Sequence, residues 1–360
     1  MTDTSTTDTY NQHAMEVAQR LMSARRERAT DRTDAPLDSL LPRHDKAALG
    51  VAREWEQMGE RPVSDDLAAR VAAHGARFEH LGLTLGTVIH GVDLRDPSDD
   101  VIDLVRATLL ERKVVFFRDQ HLDEREQVAL GRRFGELDAF PFGKPGEDPY
   151  ILEIGHGPGS PGYENGWHTD VTWMEQPSLG SIAQLIEAPP AGGDTLFADS
   201  HAAYLGLPSD VRDRVDGLSG VHDYRIFLAG RGEAGFDDEI VDAVKAAIPF
   251  GVEHPLVRTH PETGKQALYL HGGFLRHDSL FDRATGEPLG ADASRGLVSV
   301  LLQQHARPEY QCRFAWTVGS IAFWDNRAVQ HYAASDYYPN RRVLRRVTVR
   351  GDRPFHRPAA

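Results

Sequence analysis

Two side chains with metal-binding chemistry stand one residue apart in the stretch NGWHTDVTW: His168 and Asp170, flanked by Trp167 and Trp173. In an extended strand the side chains at i and i+2 share a face, whereas in a helix that spacing turns them apart. Read as a strand, the stretch makes an imidazole and a carboxylate converge. Such a pair can hold a metal, form a hydrogen-bonded pair, or be two surface polar groups beside a turn. A third donor, His331, lies far downstream in FWDNRAVQHYAASDYYPNRRVLRRVTV. Two histidines and one carboxylate on one face of an octahedron form the facial triad that holds Fe(II) with positions open to other ligands. The chain has 17 histidines, and histidine fills many other roles, so spacing alone suggests this chemistry without deciding it.

Arg342 and Arg346 follow, four apart in a segment that reads as a strand, so both share a face with Leu344 while Arg345 faces away. One arginine there can clamp a carboxylate in a bidentate pair, and a second can orient another anion. The bland alternative is a basic edge strand. RRVLRR places four arginines in six residues, and edge charge blocks sheet-to-sheet aggregation.

The elements that must position these groups follow from the hydrophobic pattern. Residues 1–35, rich in Thr, Asp and Arg with one amphipathic turn around MEVAQRLM, read as a disordered tail. Residues 36–77 repeat apolar positions at helical spacing and predict two or three short helices, an N-terminal extension. From Phe78 the texture changes. LGLTLGTVIHGVDL and KVVFFRD read as strands, DDVIDLVRATLLER and DEREQVALGRRFGEL as helices. After Pro141 short apolar runs dominate (SIAQLIEA, DTLFAD, QALYL, SIAFWD, VLRRVTV), separated by Gly, Pro, Asn and Asp. Strands without regular intervening helices predict a closed or sandwiched antiparallel sheet, hence an α+β fold with a jelly roll or barrel inside and helices outside. A charge-rich segment around 211–264, with a helical piece near DDEIVDAVKAAI, reads as an insertion that could lie over a site.

Composition excludes several function classes. With 40% hydrophobic and 8% aromatic residues the 360-residue chain builds an ordinary core, and no run reaches the roughly 20 apolar residues of a membrane helix. A net charge of −14 repels a phosphate backbone, so nucleic acid is not the expected partner. The opening residues carry no basic region before an apolar core, and a single cysteine, Cys312, allows no internal disulfide; a cytoplasmic location is the expectation.

WHTDVTW, APPAGGDTLFAD and WDNRAVQHYAASDYYPNRRVLRRVTVRGDRPF together resemble the taurine dioxygenase/TfdA family of Fe(II)- and 2-oxoglutarate-dependent dioxygenases, from about Leu81 to Phe355. The resemblance implies a double-stranded β-helix jelly roll over residues 78–360. It implies that His168, Asp170 and His331 bind iron, that Thr195 and Arg342 hold 2-oxoglutarate, and that Arg346 meets the anionic group of the substrate. Fe(II), 2-oxoglutarate and O2 are the implied cofactors. The product pair would be succinate and CO2, with hydroxylation of a C–H bond in a small anionic sulfonate, sulfate ester or carboxylate. Retention of Asp170 disfavours halogenation. A homo-oligomer, dimer or tetramer, is implied as well. Phe140, Tyr224 and Phe274 fall in substrate-side segments. In taurine dioxygenase the stretch after FGEL supplies a histidine and a tyrosine to taurine; here the matching positions are Phe140 and Gly143, which predicts a roomier, more apolar pocket.

Other features carry bland readings. GRGEAG at 230–235 matches a dinucleotide motif but follows no clear strand and opens no helix, so it reads as a loop. His156, His222, His254, His260, His271 and His277 read as loop or surface residues, with His222 and His271 beside substrate-side segments. Trp167 and Trp173 read as core, and nothing marks Cys312 as a nucleophile. A hydrolytic zinc enzyme using the same donors, and a non-catalytic jelly-roll binding protein, are the rivals from other classes.

Overall fold

The computed structural model describes residues 15–16, 19–20, 47–139, 148–162, 164–225 and 251–358. Two helices occupy the described part of 36–77: α1 (Ala47–Gln57) and α2 (Asp65–Ala73), the latter capped by Ser64, whose Oγ accepts from the Leu67 N–H. Strands β1 (Arg77–His80) and β2 (Thr87–His90) lead into α3 (Asp99–Arg112), β3 (Val114–Phe117) and α4 (Glu124–Arg132). Helix α4 begins with a capping box in which Asp123 and Glu126 satisfy each other's backbone N–H. Then come β4 (Leu152–His156), β5 (Gly180–Glu187), β6 (Thr195–Asp199), α5 (Ser200–Leu205), α6 (Ser209–Asp216), β7 (Leu218–His222), β8 (Val252–Pro255), β9 (Val257–Thr259), β10 (Gln266–Leu268) and β11 (Phe281–Asp282). The chain closes with α7 (Ala291–His305), β12 (Gln311–Phe314), β13 (Ile321–Asp325), β14 (Val329–Ala333) and β15 (Arg342–Val349).

Two sheets make the core. A seven-stranded sheet runs β1-β2-β3-β13-β5-β15-β4, antiparallel except at β2 and β3, and a three-stranded antiparallel sheet runs β12-β6-β14. Alternation along β3 explains how they are packed. Phe116 points inward, stacks on Phe314 of β12 at 4.1 Å between ring centroids and meets Phe197 of β6 at 5.5 Å. Val115 and Phe117 point outward and are buried under Val105 and Leu109 of α3 and Val128 of α4. Each such fully buried side chain contributes roughly 1.5–3 kcal/mol.

Strand β15 pairs with β5 on one side and β4 on the other, so RRVLRR lies inside a sheet and the edge-strand reading is overturned. The face alternation holds: Arg345 turns away and bonds Gln127 of α4 and the Leu122 carbonyl. The range 211–264 is more regular than the sequence suggests, since its described residues include β7 and β8, paired in a β11-β7-β8 sheet, and β9. GRGEAG and DDEIVDAVKAAI lie outside the described residues.

Helix α1 is tied to the core by charge. Glu54, fully buried, lies 2.6 Å from Lys113 Nζ, which also reaches Asp199 Oδ2 at 2.8 Å; Lys265 approaches Glu54 at 3.2 Å. Burial pushes the Glu54 carboxyl up to about 7, helped by the Asp199 charge and opposed by Lys113 and Lys265. Asp199 is also the N-cap of α5 and the last residue of β6, so α1 is fastened to the strand that carries Thr195. Gly50 permits this contact, because a Cβ there would stand 2.2 Å from the Ala202 carbonyl oxygen.

Candidate active site

The potential ligand atoms of His168, Asp170 and His331 all lie within 4.8 Å of one another. The convergence does not come from a strand at WHTD. His168 forms an isolated antiparallel bridge with His331, exchanging backbone hydrogen bonds of 3.1 and 2.7 Å, and residues 170–173 then form a turn. Val171 enters that turn at φ 47°, a left-handed conformation that is a genuine outlier for a β-branched residue and costs about 1–3 kcal/mol. The carboxylate is thus swung toward the imidazoles by a strained turn rather than by strand alternation.

Each donor is held in a metal-competent state. His168 Nδ1–H donates to the Gly166 carbonyl at 2.7 Å, which leaves the Nε2 lone pair available. Ser181 Oγ donates to Asp170 Oδ2 at 2.9 Å, and Asn326 Nδ2 approaches the same oxygen at 3.4 Å. Asp170 Oδ1 faces Arg346 Nη1 at 3.0 Å and His331 Nε2 at 3.7 Å. Burial works to raise the Asp170 carboxyl, but Arg346 and both imidazoles outweigh it and hold the group well below the usual carboxylate range. Burial, reinforced by His168, keeps His331 down at about 3 and therefore neutral. Two imidazole nitrogens and one ionised carboxylate fit a divalent metal with open positions.

Thr195 and Arg342 meet beside this cluster. Strand β6 pairs with β14 so that Phe197 faces His331 and Thr195 faces Ala333, which puts Thr195 two residues along from the His331 pair. Arg342 reaches across from β15: its Nε donates to the Gly193 carbonyl at 2.8 Å and its Nη2 lies 3.5 Å from Thr195 Oγ1, which also accepts from Trp316 Nε1 at 2.9 Å. The GGD turn has a steric reason. Gly193 sits at φ +73°, its N–H donates to Asp336 at 2.7 Å, and a Cβ there would stand 2.8 Å from Arg342 Cδ. Burial depresses Arg342, yet a guanidinium stays charged at physiological pH.

Tyr224 and Phe274 are brought together, with ring centroids 5.8 Å apart; Trp173 extends the wall beyond Tyr224 at 5.1 Å and His271 stacks on Phe274 at 3.9 Å. His271 in turn lies 5.5 Å from His168, so the aromatic wall begins at the triad. Phe140 and Gly143 lie outside the described residues. The loop-or-surface reading of the other histidines is corrected in part: His260, His271 and His277 do lie in loops, but His156, His222 and His254 belong to strands, and all except the half-buried His277 are buried. Local hydrogen bonds meet part of their need, as when His222 Nδ1 meets Thr172 Oγ1 at 2.8 Å and His254 Nε2–H donates to the Met174 carbonyl at 3.0 Å. Ser181, Asn326 and His271 were not singled out as site residues from sequence; only the position of Asn326 directly after the WD end of a strand offers a signal. Cys312 is buried and its thiol is pushed up to about 12 by desolvation, which leaves it inert. A surface cavity of about 560 Å³ lined by Trp167, Leu196, Arg313 and Tyr332 lies on the other face of β6 and β14, since Leu196 and Tyr332 alternate with Phe197 and His331.

An Fe(II)-type triad beside a buried arginine clamp, set between two facing sheets, defines a class of metal-dependent oxygenases, and comparison with known proteins agrees. The sequence model of the taurine catabolism dioxygenase TauD, TfdA family matches residues 77–348. An alpha-ketoglutarate-dependent sulfate ester dioxygenase of Pseudomonas putida is 37% identical over 277 residues, 75% of this chain and 88% of that protein. An alkylsulfatase of Acinetobacter baylyi is 34% identical over 282 residues, covering 74% and 83%. The crystal structure of a taurine dioxygenase from Burkholderia xenovorans superposes with a TM-score of 0.64 at 34% identity, covering 78% and 93%. The chain belongs to the TauD/TfdA family. It is a 2-oxoglutarate-dependent oxidoreductase whose cofactors are Fe(II), 2-oxoglutarate and O2. Among the described residues no helix is long and apolar enough to cross a membrane.

Proposed function

We propose that this enzyme hydroxylates the carbon bearing the ester oxygen of a small sulfate ester with an apolar body, releasing an aldehyde and sulfate. The observation that carries the reading is the pairing, beside the triad, of a half-buried arginine with open donors on the Asp170 side and an aromatic wall on the His168 side. Arg346 gives Nη1 to Asp170 and keeps a buried Nε without a partner among the described residues, while Phe274, Tyr224 and Trp173 offer apolar surface that reaches the triad through His271 beside His168. The names of the relatives from Pseudomonas putida and Acinetobacter baylyi support the sulfate ester.

In this reading His168, Asp170 and His331 hold the iron, with Ser181 and Gly166 fixing the carboxylate rotamer and the imidazole tautomer. Arg342 and Thr195 hold the distal carboxylate of 2-oxoglutarate, and Trp316 orients the threonine hydroxyl. O2 is the oxidant, which bound iron would activate with 2-oxoglutarate as two-electron donor, so that one oxygen atom ends in the succinate formed with CO2 and the other in the hydroxyl on the substrate carbon. The protein's own work is positional. Arg346 anchors the anion, and the wall of Phe274 and Tyr224 covers the apolar chain and excludes water. A hydroxyl on the carbon that carries the sulfate makes a hemiacetal-type adduct, whose O–H proton is lost as the C–O bond to sulfate breaks. We also read the two facing sheets as a double-stranded β-helix jelly roll and the described part of the 36–77 range, residues 47–77, as an N-terminal helical extension of that domain.

A panel of alkyl sulfates, sulfonates including taurine, and aryloxyalkanoates, scored by succinate and by aldehyde or phenol release, tests the reading. Highest kcat/KM on an alkyl sulfate with stoichiometric sulfate is expected; a preference for taurine or for an aryloxyalkanoate overturns it.

A further inference from the structure

His260 and His271 share a device that fixes their protons. In each, Nδ1 accepts backbone N–H groups from the residues two and three ahead: Glu262 and Thr263 at 3.2 and 3.1 Å for His260, Gly273 and Phe274 at 2.9 and 3.1 Å for His271. A ring nitrogen that accepts carries no proton, so in both rings Nε2 is the donor. At His260 that hydrogen is donated to Asp325 Oδ2 at 3.0 Å. At His271 the Nε2–H has no partner among the described residues although the residue is only 8% exposed, and unlike Nε2 of His222 it is not sealed from solvent. A donor fixed in tautomer and held against His168 and Phe274 is built for a ligand.

Arg346 sets what that ligand needs. With Nη1 engaged by Asp170 Oδ1, the atoms left are Nε and Nη2, which form one planar fork and have no partner among the described residues. A fork satisfies two oxygens. A carboxylate has two oxygens and is complete on the fork, whereas a sulfate ester or sulfonate has a third terminal oxygen. Arg346 stands on the Asp170 side of the triad and His271 on the His168 side. We propose that the His271 Nε2–H binds the third terminal oxygen of the substrate's sulfur oxyanion and so selects three-oxygen head groups over carboxylates. This rests on the sulfate ester reading above.

The test is anaerobic binding to the enzyme loaded with Fe(II) and 2-oxoglutarate. Wild type, His271→Phe and His271→Gln are titrated with an alkyl sulfate and an alkyl carboxylate of matched chain length, while the visible band of the bound keto acid is followed. His271→Phe is expected to lose about tenfold or more in alkyl sulfate affinity, with the carboxylate and 2-oxoglutarate changed by less than about twofold. His271→Gln, which keeps an N–H near the Nε2 position, recovers a substantial part. An unchanged alkyl sulfate affinity in His271→Phe overturns the proposal alone. Equal loss for sulfate, carboxylate and 2-oxoglutarate also overturns it, by showing a packing role. A wild-type enzyme that binds the carboxylate but no alkyl sulfate overturns the sulfate ester reading and this contact with it.

Discussion

His168 and His331 hydrogen-bond to each other through their backbones in both directions, at 3.1 and 2.7 Å, outside any regular strand pairing. The bridge sets the two backbones side by side, and the bond from His168 Nδ1–H to the Gly166 carbonyl then orients one ring, leaving the ring centroids 4.1 Å apart. The carboxylate is positioned separately, by Ser181, Asn326 and the Val171 turn.

Ser181→Ala should accordingly weaken the metal site without removing a donor. Loss of a hydrogen bond that orients a ligating carboxylate costs about 10–100-fold in metal affinity. Fe(II) or Co(II) titration of the apoprotein reads this directly. An unchanged affinity would mean that Asn326 and the turn suffice.

The clamp for 2-oxoglutarate can be tested from two sides. Arg342→Ala should reduce 2-oxoglutarate affinity by a margin of roughly 2–5 kcal/mol while leaving Fe(II) binding intact; Arg342→Lys should not rescue fully, because it lacks the planar fork. Gly193→Ala should act in the same direction through backbone strain, since φ +73° and a Cβ 2.8 Å from Arg342 Cδ force the arginine to move. Isothermal titration of 2-oxoglutarate into each variant measures both, and a Gly193→Ala protein with wild-type affinity would contradict the account of the GGD turn.

Arg346→Ala should impair the anionic substrate with 2-oxoglutarate affinity nearly intact. The expected signature is a raised KM for the sulfate ester. Comparable loss of both affinities would show that the two arginines do not divide the labour.

The Glu54 cluster predicts a pH dependence of stability. The folded-state value of about 7 lies above the ordinary 4.5, so between these values the folded protein binds more protons than the unfolded one. Glu54 therefore lowers stability as pH rises through that window. Glu54→Gln mimics the protonated form and should remove this component. Denaturant melts from pH 4.5 to 8 should show wild type losing stability relative to Glu54→Gln as pH increases, and the opposite slope would contradict the burial-driven shift.

The strand-rich core and the helices were legible because hydrophobic period and cap residues are local properties: KVVFFRD, SIAFWD and VLRRVTV are β3, β13 and β15, and α4 starts at its Asp123 box. The interior place of RRVLRR was not legible, because whether a strand is flanked on both sides is a property of partners far away in sequence. The convergence of His168 and Asp170 was anticipated with the wrong local geometry. A turn through a left-handed valine has no sequence signature, since β-branched residues normally avoid that region. The buried histidines were missed for a related reason: an imidazole is cheap to bury when a backbone N–H meets Nδ1, and the His271-Gly272-Gly273-Phe274 turn that does so is visible only in three dimensions.

The central claim is that His168, Asp170 and His331 bind Fe(II) beside a 2-oxoglutarate site built on Arg342 and Thr195. An anaerobic titration of the apoprotein with Fe(II) and then 2-oxoglutarate, run on wild type, Asp170→Ala and Arg342→Ala, measures it most directly. The account predicts a weak visible charge-transfer band in wild type, no band in Asp170→Ala at any 2-oxoglutarate concentration, and a band in Arg342→Ala only at much higher 2-oxoglutarate. Iron binding without a band in wild type, or an undiminished band in Asp170→Ala, would contradict it.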